Sequence, residues 1–198
     1  MILIELTQVP DADLPVAAFR DHLQLGSGFA DDGLQDAVLL PRLRAALSAV
    51  EARTGKALLE REFKLVVTAW RDLGRQVLPT APVRSVDALT IVDLNETAET
   101  IPPAAFRLLL DAHTPSLEAT ALSLPIIPVG GTAEIEFTAG FGDWAAVPGD
   151  LQQAVLLMAT HFYENRSAVS SRNYALPLSV ASLCRPHTPI RLVGVRRP

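Results

Sequence analysis

The chain has 198 residues, 49% of them hydrophobic and 20% charged, which is the length and composition of one globular domain. Disorder is excluded because disordered chains are poor in apolar residues, and no uncharged apolar run reaches the ~18 residues of a membrane-spanning helix. The formal net charge of −5 is unevenly distributed: residues 1–165 carry −11, whereas residues 166–198 carry +6 from six arginines and no acid.

The mean hydropathy of +0.26 is high for a chain without a membrane segment. We therefore expect apolar surface that is covered by other copies of the chain or by a partner. The single cysteine, Cys184, excludes an intrachain disulfide. The first residues lack the positive charge and the long apolar core of a signal peptide, so synthesis in the cytoplasm is expected.

Two helices are predicted in the first 58 residues. The first covers residues 13–24, and the second covers residues 32–54 and ends at Gly55. Apolar side chains of the second helix recur at spacings of three and four, namely Leu40, Leu43, Leu47 and Val50. Pro41 interrupts it, because an interior proline removes a backbone hydrogen bond and clashes with the preceding turn. The helix is expected either to kink there or to begin anew with Pro41 in its first turn.

A change of period at residue 59 predicts a switch to β-structure. Apolar and polar side chains alternate over residues 59–68, with Phe63, Leu65 and Val67 on the inward side, as in a half-buried antiparallel strand. Further short strands are predicted at residues 76–78, 83–92, 106–110, 121–124 and 132–138. The long connections between them favour a small, irregular β module over a regular sandwich.

The clearest helix signal spans residues 151–166, with Pro148 where a first helical turn tolerates proline. Apolar side chains surround this helix instead of forming one stripe, so we expect it to be buried on more than one side, either within the chain or at a subunit interface. A short helix is predicted at residues 177–184, with Val180, Leu183 and Cys184 inward. Residues 190–198 are predicted to be extended and basic.

The sequence offers few groups for catalysis. The histidines are scattered, the cysteine is alone, and no spacing matches a metal site, a phosphate-binding loop or a hydrolase elbow. His161 and Glu164 lie three residues apart on the predicted third helix, where they could share a face for acid–base chemistry, although a surface contact is the more common role. No catalytic residue, cofactor or metal ligand is predicted, and a small enzyme using His161 and Glu164 is kept as an alternative.

The arginine-rich end raises a second alternative, a module that binds DNA without sequence specificity. Each of the six arginines in residues 166–198 could neutralise a phosphate. Tyr174 is the one aromatic residue in residues 166–198, so few side chains are present on which bases could stack. The body of the chain is acidic, which disfavours contact with the phosphate backbone. Sequence-specific readout is therefore not expected.

The order of several short motifs resembles one known family. Residues 21–23 and 31–32 come first, followed by residues 50–58, by residues 78–86 and by the motif Ile135-Glu136-Phe137-Thr138-Ala139-Gly140-Phe141-Gly142. Val147-Pro148, residues 161–166, residues 176–180 and then Leu183, Pro186 and Arg191 complete the series. Together, over most of the chain, they resemble the head-tail connector, or adaptor, proteins of long-tailed phages and phage-derived gene transfer agents. Pro41 and Pro186-His187-Thr188 depart from the family pattern.

Taken with the predicted elements, the resemblance implies an α+β fold in a single connector domain. Its helical core consists of two N-terminal helices and a long C-terminal helix, with a small antiparallel β module inserted between them and an extended C-terminal tail. By residue number, the first helical part covers 1–58, the β module 59–142, the second helical part 143–185 and the basic tail 186–198.

The resemblance also implies a function. Family members are structural and not enzymatic: they form a ring, commonly of twelve subunits, beneath the portal of a packaged capsid and join it to the tail, while DNA passes through the bore. The expected partners are other copies of the chain, the portal protein and a stopper or tail-terminator protein, with no membrane and no sequence-specific DNA binding. The chain is accordingly expected in the neck of a virion or gene-transfer-agent particle, after synthesis in the bacterial cytoplasm.

Two sets of residues are predicted to carry this assembly. The tail that docks on the portal is expected to use Leu183, Arg185, Pro186, Ile190, Arg191, Leu192, Arg196 and Arg197. The ring interface is expected to use Leu43 and Leu47 of the second helix and Leu151, Val155, Met158 and Phe162 of the third. The β module is expected to face the next neck or tail component.

Overall fold

The computed structural model describes residues 1–24, 36–165 and 176–189. The α-helices in these ranges are α1 (Val16–His22), α2 (Asp36–Thr54), α3 (Gly149–Glu164) and α4 (Leu178–Cys184). The strands are β1 (Ile2–Glu5), β2 (Arg61–Val67), β3 (Arg75–Val77), β4 (Val83–Val92), β5 (Ala98–Thr100), β6 (Phe106–Leu109), β7 (Ser116–Ala119) and β8 (Thr132–Ala139). Short 3-10 helices cover Asp11–Asp13, Pro103–Ala105, Trp144–Ala146 and Arg185–His187. The predicted α+β fold, with helices before and after a β module, is confirmed.

The four helices pack around one apolar cluster. Its fully buried members include Phe19 of α1, Val50 of α2, Ala154 of α3 and Val180 of α4. Pro41 lies inside α2, which is already helical at Asp36, so the helix does not begin anew at the proline. The predicted start of this helix, residues 32–35, lies outside the described residues.

The first predicted helix is shorter than expected. A 3-10 turn at Asp11–Asp13 is followed by Leu14 in an extended conformation, and α1 begins only at Val16. Leu14 precedes Pro15, and a residue before proline is pushed out of the helical region by its ring. One continuous helix over residues 13–24 is therefore not formed.

A second apolar cluster lies in the β module, between two antiparallel sheets. The larger has strand order β1-β2-β8-β4-β5 and the smaller has order β3-β7-β6. Alternation along β2 is as predicted, with Phe63, Leu65 and Val67 buried. β8 alternates in the same way and buries Ala133, Ile135 and Phe137. Phe63 lies directly opposite Phe137 in the register, and their rings stack with centroids 5.6 Å apart.

The structure corrects the strand assignment at three places. The strand predicted at residues 121–124 is wrong: β7 lies at Ser116–Ala119, and Leu124 is buried in a loop where its N–H donates to the carbonyl of Leu73. β1 and β5 were not predicted. Since β1 pairs with β2, the first residues belong to the β module and not to the helical part assigned to residues 1–58.

The large sheet has two distinct ends along its strands. Arg61 pairs with Ala139 at the end that joins the helices, and Val67 pairs with Ala133 at the other. These ends are about 20 Å apart, because six strand residues rise ~3.3 Å each. The loops at the second end are therefore held well away from the helical part.

Candidate assembly surfaces

Helix α3 is buried within its own chain. It packs against α1, α2 and α4, which accounts for apolar side chains on all its sides. The predicted ring-interface residues must be corrected for this reason: Leu43, Leu151 and Val155 have no exposed surface, and Leu47 and Met158 retain 7% each. Phe162, near the end of α3, is half-buried and is the one member of the set with substantial accessible surface.

The described part of the C-terminal segment, residues 176–189, is packed on the helical core. α4 buries Val180 and Cys184 completely, and Leu183 is half-buried against the same cluster. Arg185 and Pro186 are exposed, and they form a 3-10 helix with His187 instead of the extended tail predicted from residue 186. The other predicted docking residues, namely Ile190, Arg191, Leu192, Arg196 and Arg197, lie outside the described residues.

One polar contact holds this segment at the start of α3. His187 Nε2 lies 2.6 Å from Oδ2 of Asp150, and the other carboxylate oxygen of Asp150 accepts from the N–H of Leu151. Thr188 Oγ1 donates to the carbonyl of Cys184 at 3.0 Å. The base of the tail therefore has a defined position on the helical core.

His161 and Glu164 do not form a catalytic arrangement. Both side chains are exposed on the last turns of α3, and His161 Nδ1 lies 3.2 Å from Nδ2 of Asn165. Among the described residues, no group of three or more His, Cys, Asp or Glu side chains is placed to hold a metal ion. Within the same ranges, no helix has the length and apolarity to cross a bilayer.

Buried charges join the helical part to the sheet. Arg61 of β2 binds Glu51 of α2 and also forms an ion pair with Glu5 of β1. Burial opposes the charge of Arg61, but the contacts with Glu51 and Glu5 outweigh it, and the pKa of Arg61 is raised. These charges line a cleft of about 600 Å³ between the N-terminal segment and α2. Since Arg61 and Glu51 already neutralise each other, we interpret the cleft as a structural joint.

Lys56 makes a second joint. The residue is 4% exposed, its Nζ donates to the carbonyl of Ala112, and it lies 3.4 Å from Nδ1 of His113. Burial lowers the pKa of Lys56, and the nearby charge of Asp111 partly opposes this shift. Lys56 thereby holds the 111–114 loop beside the end of α2, where that loop and the 185–189 segment line a cavity of about 610 Å³.

Loops at the far end of the large sheet carry exposed apolar side chains. Trp70 Nε1 donates to the carbonyl of Pro125, and Leu94 packs beside Gly130, so the 68–74, 93–97 and 120–131 loops converge. We call their exposed members the apolar loop tip: Leu73, Leu94, Leu122, Ile126 and Val129, which are 73–101% exposed. This surface was not predicted from the sequence. The run Pro125-Ile126-Ile127-Pro128-Val129 was a usable signal, because prolines keep such a run out of a buried strand.

A further exposed apolar surface lies at the N-terminus. All four residues of β1 are exposed, and Ile2, Leu3 and Ile4 are apolar. β1 forms one edge of the large sheet. The sequence signal was the apolar run itself, which shows no alternation because neither face of the strand is deeply buried.

The whole chain is similar to chains of known structure. No protein-family model matches it, and no curated protein matches it either. Among solved structures, it is similar over 100% of both chains to one from the neck of an empty gene transfer agent particle computed with C6 symmetry, at 48% identity and a TM-score of 0.90. A chain from the virion of a native gene transfer agent particle is 48% identical, with a TM-score of 0.87, again over both full lengths. A chain from the neck of a native particle computed with C12 symmetry is 45% identical over both full lengths, with a TM-score of 0.85.

Proposed function

The chain belongs to the head-tail connector family of phage and gene-transfer-agent necks, and we propose that it is the adaptor of its neck. Proteins of these necks are structural components, and the chain is not an enzyme. In this role, twelve copies form a ring beneath the portal, join the head to the tail and continue the DNA channel. The observation that carries the proposal is the full-length similarity, at 45–48% identity, to chains of necks computed with sixfold and twelvefold symmetry.

The arginine-bearing C-terminal segment is the part proposed to dock on the portal. Residues 166–198 hold six arginines and no acid, which suits an acidic groove on a partner. The contact between His187 and Asp150 supports this role, because it gives the segment a fixed point of departure from the helical core. A fixed base lowers the entropy cost of binding a partner through this segment.

The apolar loop tip is the part proposed to meet the next neck protein, a stopper or tail terminator. It lies at the end of the β module remote from the helices that hold the docking segment. Surfaces with several large exposed apolar side chains mark protein interaction sites. A subunit with one attachment surface at each end can join two different partners.

The acidic body suits a channel through which DNA moves. Residues 1–165 carry a formal charge of −11, and like charge disfavours retention of the phosphate backbone. The alternative of a DNA-binding module makes the opposite prediction, namely duplex affinity that falls steeply as salt is raised. The adaptor role requires no such affinity.

Removing residues 190–198 tests the docking role, since it leaves the contact between His187 and Asp150 in place. We expect a folded chain, judged by circular dichroism, and DNA-filled heads without tails in electron micrographs. A second pair of variants separates charge from length: Arg196 and Arg197 to serine should impair tail joining, whereas serine at Arg44 and Arg107, which are exposed in the body and lie outside both proposed attachment surfaces, should not. Normal tail joining by the shortened chain would contradict the docking role.

A further inference from the structure

β1 exposes apolar side chains on both of its faces. The exposed fraction is 73% for Met1, 62% for Ile2, 41% for Leu3, 43% for Ile4 and 44% for Leu6. Across the register, Leu3 lies opposite buried Leu65, and Ile4 lies opposite Lys64 on the outer face. An apolar segment on a sheet rim is ordinarily covered in the functional state of a protein.

The backbone of β1 is also open along one side. Leu6 N donates to Glu62 O at 2.8 Å, so this opposed pair is hydrogen-bonded. Bonded and non-bonded pairs alternate along antiparallel strands. The backbone N–H and C=O groups of Ile4 and Ile2 therefore face β2. The N–H and C=O groups of Leu3 and Glu5 point the other way, where no strand pairs with them among the described residues.

β1 is held in place as a preformed edge. Glu5 Oε1 lies 2.8 Å from Nε of Arg61, and the N–H of Glu62 donates to Thr7 Oγ1 at 2.9 Å. The strand also lacks three of the devices that protect natural edges, because Ile2-Leu3-Ile4-Glu5 contains no lysine, no proline and no bulge in its pairing. Its geometry and composition are those of a strand that receives a partner.

We propose that β1 is covered by the adjacent copy of this chain in the ring, with backbone hydrogen bonds from Leu3 and Glu5 to that copy; this rests on the ring of the proposed function. A second copy is the occupant because similar full-length chains stand in necks of sixfold and twelvefold symmetry. Such symmetry makes each subunit meet the next through two different surfaces. The large sheet has a second exposed edge, β5, on the side opposite β1, which is the arrangement that a head-to-tail contact requires.

Photo-crosslinking in assembled particles tests this surface. A benzophenone amino acid in place of Leu3 should yield, on irradiation, a covalent product at twice the chain mass that reacts with antibodies against this chain alone. The matched control places the same amino acid at Leu122 of the apolar loop tip, which is also exposed, and should give no such product. An adduct from position 3 with another particle protein, or incorporated chain without the doubled product, would overturn the proposal.

A backbone variant tests the hydrogen bonds. Leu3→Pro removes one N–H from the open side and leaves the pairing of Ile2 and Ile4 with β2 intact, and edge strands tolerate proline. We expect a several-fold loss of the doubled product when the benzophenone is at position 2, with thermal unfolding of the free chain unchanged. An undiminished product would exclude the backbone pairing.

The protein content of wild-type particles tests the proposed function separately. If the chain were missing from their necks, the proposed function would fail, whatever the crosslinking result.

Discussion

Arg61 of β2 binds both carboxylate oxygens of Glu51 in α2, with Nη1 2.9 Å from Oε1 and Nη2 2.7 Å from Oε2. Their side chains are only 10% and 15% exposed. Glu51 Oε1 also accepts from the N–H of Leu58 at 2.8 Å, which fixes the chain as it leaves the helix. This fork joins the helical core to the large sheet, and with Glu5 it reaches β1 as well.

Replacing Glu51 with alanine should destabilise the protein strongly. The change leaves the Arg61 charge largely buried with Glu5 alone and removes an acceptor from the Leu58 amide. Breaking a buried pair by removing one partner costs about 3 kcal/mol or more. We expect the free energy of unfolding, measured with urea, to fall by about 3 kcal/mol.

The pair of Arg107 and Glu118 provides the matched control. These residues face each other across β6 and β7 with Nη2 2.9 Å from Oε2, but the Arg107 side chain is 69% exposed. Exposed pairs contribute at most about 1 kcal/mol, so Glu118→Ala should have a small effect. Equal losses for the two variants would show that burial does not set the strength of the fork.

Gly140 is expected to tolerate no side chain. Its φ of +135° lies in a region that favours glycine, and a Cβ there would stand 2.5 Å from Cα of Glu60. Strained dihedrals cost about 1–3 kcal/mol, and the clash with backbone adds to this. Gly140→Ala should therefore lower the free energy of unfolding by about 3 kcal/mol, measured by urea denaturation.

Gly149, the first residue of α3, gives the control of opposite sign. A Cβ there meets no atom within 4 Å, and alanine restricts the unfolded chain while favouring the helix. We expect Gly149→Ala to leave stability unchanged or to raise it by up to about 1 kcal/mol. A loss similar to that of Gly140→Ala would remove the steric explanation.

In the large sheet, the strands with one buried face were predictable from sequence, and the edge strands β1 and β5 were not. Phe63, Leu65 and Val67 alternate with polar residues because β2 lies between two neighbours and over the core. β1 has no such constraint, so its pattern carries no period of two. The strand predicted at residues 121–124 followed the apolar character of Leu124, whose burial is real but whose backbone bonds to a loop.

The assembly residues were harder to predict for a physical reason. Apolar side chains all around α3 indicate burial on several sides, yet sequence cannot distinguish burial by neighbouring helices from burial by another subunit. The structure assigns Leu151, Val155 and Met158 to the chain's own core. For exposed apolar residues such as Ile2 and Val129, the apolar runs are visible in the sequence, but only the fold shows that nothing within the described part of the chain covers them.

The thiol of Cys184 should make stability depend on pH in the alkaline range. Burial raises its pKa, which nearby Arg53 partly opposes and Asp150 reinforces. The folded state then holds the proton more tightly than the unfolded state, whose cysteine pKa is about 8.5. The stability due to the thiol is complete below pH ~8.5 and is lost as the pH rises toward the folded-state pKa.

Comparison of the wild type with Cys184→Ala isolates this titration. The alanine variant loses packing in the buried site, a cost that does not vary with pH, whereas groups such as Lys56 titrate equally in both proteins. Urea unfolding at pH 7 and at pH 10 should show a smaller stability difference between the two proteins at pH 10. Differences that stay equal would mean that the thiol keeps its ordinary pKa in the fold.

His187 should control the mobility of the segment that leads to the tail. Its contact with Asp150 spans from the 3-10 helix at Arg185–His187 to the start of α3, and loss of one hydrogen bond costs about 1 kcal/mol. In His187→Ala, amide hydrogen exchange in α4 and at Thr188 should accelerate about fivefold, while exchange in β8 is unaffected.

His161→Ala is the control, because His161 contacts the exposed Asn165 at the other end of α3. Equal acceleration in both variants would show that the contact between His187 and Asp150 does not anchor the segment to the helical core.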